Sequence, residues 1–174
     1  MATSLEIAQA ARERAAATKR FRTLNALLNA AYFVFADGTH YSDITTMRIA
    51  DNSYVGQATF FKYFPTKDHW GAAVFNVRLN DALSAEDTLR SPAELRGKFQ
   101  QTADKLPGIT LGIVGMRALG QPYNSILPDF HDQYSEAYAL GHKTETPQEF
   151  ANAIDLSLDG LTLNCVARAA VPHS

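Results

Sequence analysis

The sequence predicts an all-α protein, and three observations carry that prediction. From about Thr23 to Asp37 the residues Leu24, Leu27, Leu28, Ala31 and Phe35 recur at steps of three and four, the period of a helix with one buried face. Two tetrapeptides, Ser91-Pro92-Ala93-Glu94 and Thr146-Pro147-Gln148-Glu149, have the capping-box pattern with proline at the first helical position. No run alternates apolar and polar residues as a half-buried strand would.

Composition sets the bounds. The 174 residues, 46% of them apolar, suffice for one sizeable core or two small ones. No stretch approaches the roughly 18 consecutive apolar residues of a membrane helix, and Glu6, Arg12, Glu13 and Arg14 stand where a signal peptide would be apolar. A cytoplasmic protein without membrane association is expected. The single cysteine, Cys165, excludes an internal disulfide framework and a cysteine-rich zinc site, and reads as a small core residue. The net charge of −2 is unevenly spread: residues 1–70 hold eight Lys/Arg against six Asp/Glu, residues 71–174 eight against twelve. The basic surplus lies in the first part.

Residues 1–22 form an alanine-rich arm, helical or frayed. Its Arg12, Arg14, Lys19, Arg20 and Arg22 belong either to a solvated terminus or to an arm laid along phosphates or in a minor groove. The amphipathic helix that follows ends at Gly38 and makes a floor for the next segment.

That segment, Ile44 to Trp70, reads as two short helices joined by a tight turn, with an exit helix after Pro65. Thr45 or Thr46 can cap the first helix, and Met47, Ile49 and Ala50 supply its buried side. Asp51, Asn52 and Ser53 compete with the backbone for hydrogen bonds and stop it. The second helix starts near Val55 or Gly56 and covers about 55–62. Val55, Phe60 and Phe64 face inward, leaving Gln57, Ala58, Lys62 and Tyr63 outward. Small, amide, hydroxyl and cationic side chains on an exposed helix suit the major groove of DNA.

Here the residues resemble a known family. Gly38, the Thr45-Thr46 pair, Ile49-Ala50, Val55, Thr59, Phe60, Tyr63-Phe64-Pro65 and Lys67 fall in the order and spacing of the DNA-binding domain of tetracycline-repressor (TetR) regulators. Leu27-Leu28, Ala30-Ala31 and Phe35 look like that family's first helix. The match covers about residues 22–72, with ATFFKYFPTKD its most specific part. Tyr54 stands where the family usually has a turn glycine, Gly56 where it has serine, and Phe61 where it has tyrosine; two extra residues fall between Gly38 and Tyr41. Tyrosine is costly at positive φ, so either the turn differs or Asn52 takes the left-handed position.

The exit helix is expected at about 66–83, with Trp70, Val74 and Val77 on one side and Lys67 in its first turn. Further helices are expected at about 92–105, 109–120, 128–140 and 147–170. In the last, Phe150, Ile154, Leu158, Leu161 and Cys165 form a stripe, Ala153, Gly160, Leu163 and Ala167 widen it, and Asn152, Asp155, Asp159 and Thr162 draw a narrow polar line. So wide an apolar face calls for cover on more than one side. Ile154, Leu158, Leu161 and Cys165 are accordingly candidates for a homodimer interface, with burial inside one subunit as the other reading.

Phe130, Tyr134 and Tyr138 share a helix face and, with Phe99, Met116 and Tyr123, either line a pocket for a small apolar or aromatic effector or fill the core. Asp129, His131, Asp132, Glu136 and His142 lack the histidine spacing of a metal site. No catalytic triad can be assembled, nor a phosphate loop around the glycines at 108, 112, 115 and 120; those at 108, 112 and 115 suggest instead a loosely packed helix that approaches a neighbour or a ligand closely. No cofactor is expected and no enzyme activity.

The domain plan is then an arm at 1–22, a three-helix helix-turn-helix DNA-binding domain at 23–70, and a helical effector-binding and dimerisation domain at 71–174. The resemblance implies a dimeric transcriptional regulator, most often a repressor, that binds a palindromic operator and is released by an effector. Thr45, Arg48, Tyr63 and Lys67 would hold phosphates; Gln57, Ala58, Thr59 and Lys62 would face bases, with Thr46 beside them. The alternative is a helix-turn-helix module without an effector pocket.

Overall fold

The computed structural model describes residues 4–36, 39–84, 91–140 and 147–169. Gly38, part of the family resemblance and the expected end of the first helix, lies outside them, as does His142. The described residues form helices without strands: α1 (Ser4–Val34), a short 3-10 turn (Tyr41–Asp43), α2 (Thr46–Asn52), α3 (Gln57–Tyr63), α4 (Lys67–Ser84), α5 (Pro92–Lys105), α6 (Pro107–Ala118), α7 (Tyr123–Ile126), α8 (Pro128–Ala139) and α9 (Pro147–Ala169). The chain divides into two compact units after Pro65, five residues before the boundary expected from the sequence. The exit helix therefore belongs wholly to the second unit, where Trp70, Val74, Phe75, Leu79 and Leu83 pack it against α5, α6 and α8.

In the first unit the residues expected to form a separate arm continue without a break into α1. Core contacts begin only at its far end, where Leu27, Ala30, Ala31 and Val34 meet α2. Thr45 caps α2 by accepting from the Arg48 backbone N–H at 3.1 Å, and α2 stops where Ser53 Oγ donates to the Ala50 carbonyl at 2.8 Å. Ile49 and Ala50 are buried, whereas Met47 is 59% exposed. Two residues are about 200° of helix, so Met47 cannot share the face of Ile49.

The second unit is a bundle in which α4, α5, α6, α8 and α9 surround one aromatic row. Ring centroids follow at 5.0 Å from Phe75 to Phe99, 5.2 Å to Phe130, 5.9 Å to Tyr134, 6.5 Å to Tyr138 and 5.6 Å to Phe150. Both expected capping prolines start helices, and at α5 the box is complete: Ser91 N–H donates to Glu94 Oε2 at 2.7 Å while Ser91 Oγ accepts from Glu94 N–H at 3.3 Å. Of the glycines on α6, Gly112 approaches a neighbour closely, where a Cβ would lie 2.8 Å from Asp68 Oδ1 and 3.2 Å from its Cγ on α4, whereas a Cβ at Gly115 would meet nothing within 4 Å.

A polar clamp ties α6 to α9. Arg117 donates from Nε to Asp159 Oδ1 at 2.9 Å and from Nη2 to Asp159 Oδ2 at 3.0 Å, lies 3.4 Å from Asp155, and sits 5.0 Å over the Tyr123 ring. Tyr123 Oη and Thr162 Oγ1 are 2.8 Å apart and both residues are buried. The fork of hydrogen bonds from Arg117 holds the Asp159 carboxyl below the ordinary carboxylate range, and burial pushes the Tyr123 phenol up.

Two stability outcomes follow from this packing. Gly112→Leu drives a branched side chain into α4 and should lower stability by about 1–3 kcal/mol in denaturant unfolding; an unchanged midpoint would mean that α4 and α6 are not in close contact. Because the Asp159 carboxylate is favoured in the folded state, its contribution is complete above the ordinary carboxylate value of about 4 and is lost as pH falls further. Asp159→Asn should therefore be less stable than wild type at neutral pH, with the gap narrowing as pH falls below about 4; a gap independent of pH would contradict the clamp.

Candidate nucleic-acid interface

Helix α3 is only seven residues long, so its stability must come from its neighbours. Phe60 supplies that support at 0% exposure, meeting Phe64 at a ring separation of 5.7 Å and the edge of Phe61 at 5.3 Å. With Phe60 inward, Ala58 and Lys62 stand exposed on the opposite side, and Gln57 is exposed at the first position of the helix. Gly56 caps α3 through its backbone alone: its carbonyl accepts from the Thr59 and Phe60 N–H groups at 2.8 and 3.1 Å.

The turn departs from both readings of its sequence. The left-handed residue is Tyr54 itself, at φ 55, and not Asn52, whose side chain donates to the Arg48 carbonyl at 2.9 Å. Tyr54 is 99% exposed, so its ring offers no packing that would offset the roughly 1–2 kcal/mol of left-handed strain.

Several of the expected DNA-contacting side chains are tied to protein partners. Gln57 Nε2 donates to Thr46 Oγ1 at 3.0 Å, which joins the first residue of α3 to the first of α2 and places the two side by side. Arg48 Nη1 donates to Thr39 Oγ1 at 3.2 Å. Thr45 spends its hydroxyl oxygen on the α2 cap. Tyr63 is half-buried and its hydroxyl donates to the Arg20 carbonyl of α1 at 3.3 Å. Thr59 is half-buried, and Lys67 opens α4 in the second unit, at the residue after Thr66. Lys62 is exposed at the end of α3. The Tyr63–Arg20 bond joins residues 43 apart, and no local pattern could have announced it.

The other two sets of expected site residues have different surroundings. Phe99, Tyr123, Phe130 and Tyr134 are fully buried, Met116 is nearly so, and Tyr138 continues the aromatic row. Their hydroxyls are occupied as well: Tyr134 Oη lies 2.6 Å from Ser157 Oγ and accepts from Arg96 at 3.3 Å. Phe99, Phe130, Tyr134 and Tyr138 pack on one another in sequence, and Tyr123 packs under Arg117 beside Thr162. Ile154, Leu158, Leu161 and Cys165 likewise face the subunit's own interior, packed by α5 and α6, and burial raises the Cys165 thiol. Their expected place in an interface is thus corrected to the core. The reason is visible on α9: Asp155, Asp159 and Thr162 lie on the flank that meets Arg117 and Tyr123, with Thr162 buried and the two carboxylates half-buried, which leaves Leu156 at 72% and Leu163 at 56% exposure on the outer side. Among the described residues, no group of three or more His, Cys, Asp or Glu could hold a metal ion, and no helix is long and apolar enough to cross a membrane.

The second unit does contain a cleft of about 290 Å³, lined by Arg78, Asp81 and Ala82 of α4, Thr102 and Lys105 of α5, and Leu106. Its lining mixes charged groups with apolar ones, unlike the closed aromatic row.

No family model matches the sequence, and no curated protein does. Among solved structures, the chain is similar to the crystal structure of a TetR transcriptional regulator from Rhodococcus sp. RHA1, at 13% identity and a TM-score of 0.58, over 90% of this chain and 88% of that one. The short α2–turn–α3 pair, the long α1 before it and the helical bundle after it together make this chain a TetR-like fold, all-α, with an N-terminal helix-turn-helix.

Proposed function

We propose that the protein is a dimeric transcriptional regulator of the cytoplasm that reads a palindromic DNA operator with α3, acts as a repressor, and is released by a small molecule. The observation that carries the DNA-binding part is α3 itself: a helix anchored by fully buried Phe60 that presents Gln57, Ala58 and Lys62 to solvent. The likeness to a TetR transcriptional regulator supports the same reading. Gln57, Ala58, Thr59 and Lys62 would meet base edges, with Thr46 orienting Gln57. Thr45, Arg48, Tyr63 and Lys67 would hold phosphates, which position the protein without specifying sequence. Arg48 and Tyr63 would exchange their present partners, Thr39 and the Arg20 carbonyl, for phosphate oxygens.

Dimerisation would use the outer side of α9, where Leu156, Gly160, Leu163 and Ala167 recur at i, i+4, i+7 and i+11 on one face. A small-molecule effector would enter the α4–α5 cleft, with its apolar body on Ala82 and Leu106 and a polar group toward Arg78 or Lys105. A coupling of about 1–3 kcal/mol would change operator affinity by roughly 5- to 150-fold. A regulator without an effector is the second reading, favoured by the closed packing of the aromatic row.

Selection of bound sequences from random duplexes tests the central claim: enrichment of a two-fold symmetric site is expected, and recovery of none would refute it. On the selected site, Lys62→Ala with Lys67→Ala should weaken binding and reduce the slope of log affinity against log salt by about one to two; an unchanged slope counts against both lysines. Leu156→Glu with Leu163→Glu should give monomers in sedimentation while keeping the helical circular dichroism. Persistence of a dimer would place the interface elsewhere.

A further inference from the structure

Apart from the bond between the Tyr63 hydroxyl and the Arg20 carbonyl, the N-terminal extension of α1 has no role in the fold described so far. From Leu5 to Arg22 every residue but Ala10 is exposed, and the first core residue is Leu27. A long helix without a buried face is not kept by packing within its own subunit.

Three of its cations share a face. Arg12, Lys19 and Arg22 fall at i, i+7 and i+10, which places them along one side, whereas Glu6, Glu13 and Arg20, at i, i+7 and i+14, lie on another, where Gln9 Nε2 donates to Glu13 Oε1 at 3.2 Å. Arg12, Lys19 and Arg22 are all exposed, and no ion pair involving them is present among the described residues. The apolar residues of the extension do not form a matching stripe: Leu5 and Ile7 diverge around the helix, and Phe21 stands fourteen residues beyond Ile7. That distribution does not suit a lipid surface or a partner helix, each of which needs a continuous apolar face. A line of cations spanning about 15 Å of helix suits a polyanionic rod.

The root of the extension is tied to the reading helix. Tyr63, the last residue of α3, donates its hydroxyl to the Arg20 carbonyl, between Lys19 and Arg22. The basic face thus starts at the C-terminal end of α3, inside the same compact unit.

We propose that the exposed extension of α1 is a second DNA-binding element, which lays Arg12, Lys19 and Arg22 along the phosphate backbone beside the groove that α3 enters. This rests on the DNA-binding reading above and adds to it a contact indifferent to sequence. The triple variant Arg12→Ala, Lys19→Ala, Arg22→Ala removes only exposed side chains, so its helical circular dichroism and melting temperature should match wild type. Its affinity should fall alike on the selected operator and on a random-sequence duplex of equal length, and its salt slope should drop by about two to three, near 0.9 for each phosphate no longer neutralised. Arg14→Ala, which faces away from the line, should leave the slope unchanged.

Operator binding with wild-type slope in the triple variant would overturn the proposal while leaving the function of α3 intact. An equal effect from Arg14→Ala would overturn it too, by showing a response to net charge alone. So would wild-type DNA binding combined with loss of binding to phosphatidylserine–phosphatidylcholine vesicles, which would assign the face to a membrane. If intact protein binds no duplex at all, the DNA-binding reading itself fails, separately from the extension.

Discussion

Burial of the Phe60 ring beneath α3 is the constraint on which the candidate interface depends. A seven-residue helix does not persist in water, and here one aromatic side chain, backed by Phe64 on the same unit, fixes both its existence and its rotation. Because residues 58 and 62 lie about 160° from residue 60 around the helix, rotation of that ring into the core is the same event as exposure of Ala58 and Lys62, while Gln57 is exposed as the first residue of α3. Loss of a fully buried Phe typically costs about 3–5 kcal/mol, a large share of a small domain's stability.

The second unit is held by a different kind of interaction. Its aromatic row supplies the hydrophobic driving force without direction, and the Arg117 clamp adds direction by accepting only one rotation of α9. With Asp155, Asp159 and Thr162 committed to the flank facing α6, Leu156 and Leu163 are committed outward. That exposure is the physical basis for placing a partner subunit there. It also explains why the stripe of Ile154, Leu158, Leu161 and Cys165 cannot serve: a side chain already covered by α5 and α6 has no area left to bury.

In the first unit, several side chains that could meet DNA are engaged within the protein. Thr46 holds Gln57, Thr39 holds Arg48, and the Arg20 carbonyl holds the Tyr63 hydroxyl. Such bonds restrict rotamers before a partner arrives, which lowers the entropy cost of binding for a side chain that keeps its partner and adds a cost for one that must leave it. Gln57 belongs to the first kind and Arg48 to the second. The exposed, left-handed Tyr54 remains a site of backbone strain without a packing explanation.

Local signals in the chain were enough for the helices. Capping boxes, prolines and apolar periodicity place α5 as expected and α4, α6, α8 and α9 within two residues of their observed limits, because each of these signals acts over one or two turns. The rotation of α3 was legible for the same reason, since Val55, Phe60 and Phe64 differ plainly from Gln57 and Lys62. What tertiary structure decided is which of two equally apolar or polar options is buried. On α9 the polar line lies on the flank facing α6 because Arg117, 42 residues distant from Asp159, meets it there. The rings from Phe99 to Tyr138 close on one another because neighbouring helices bring them within van der Waals reach, and periodicity along one helix carries no information about what stands opposite.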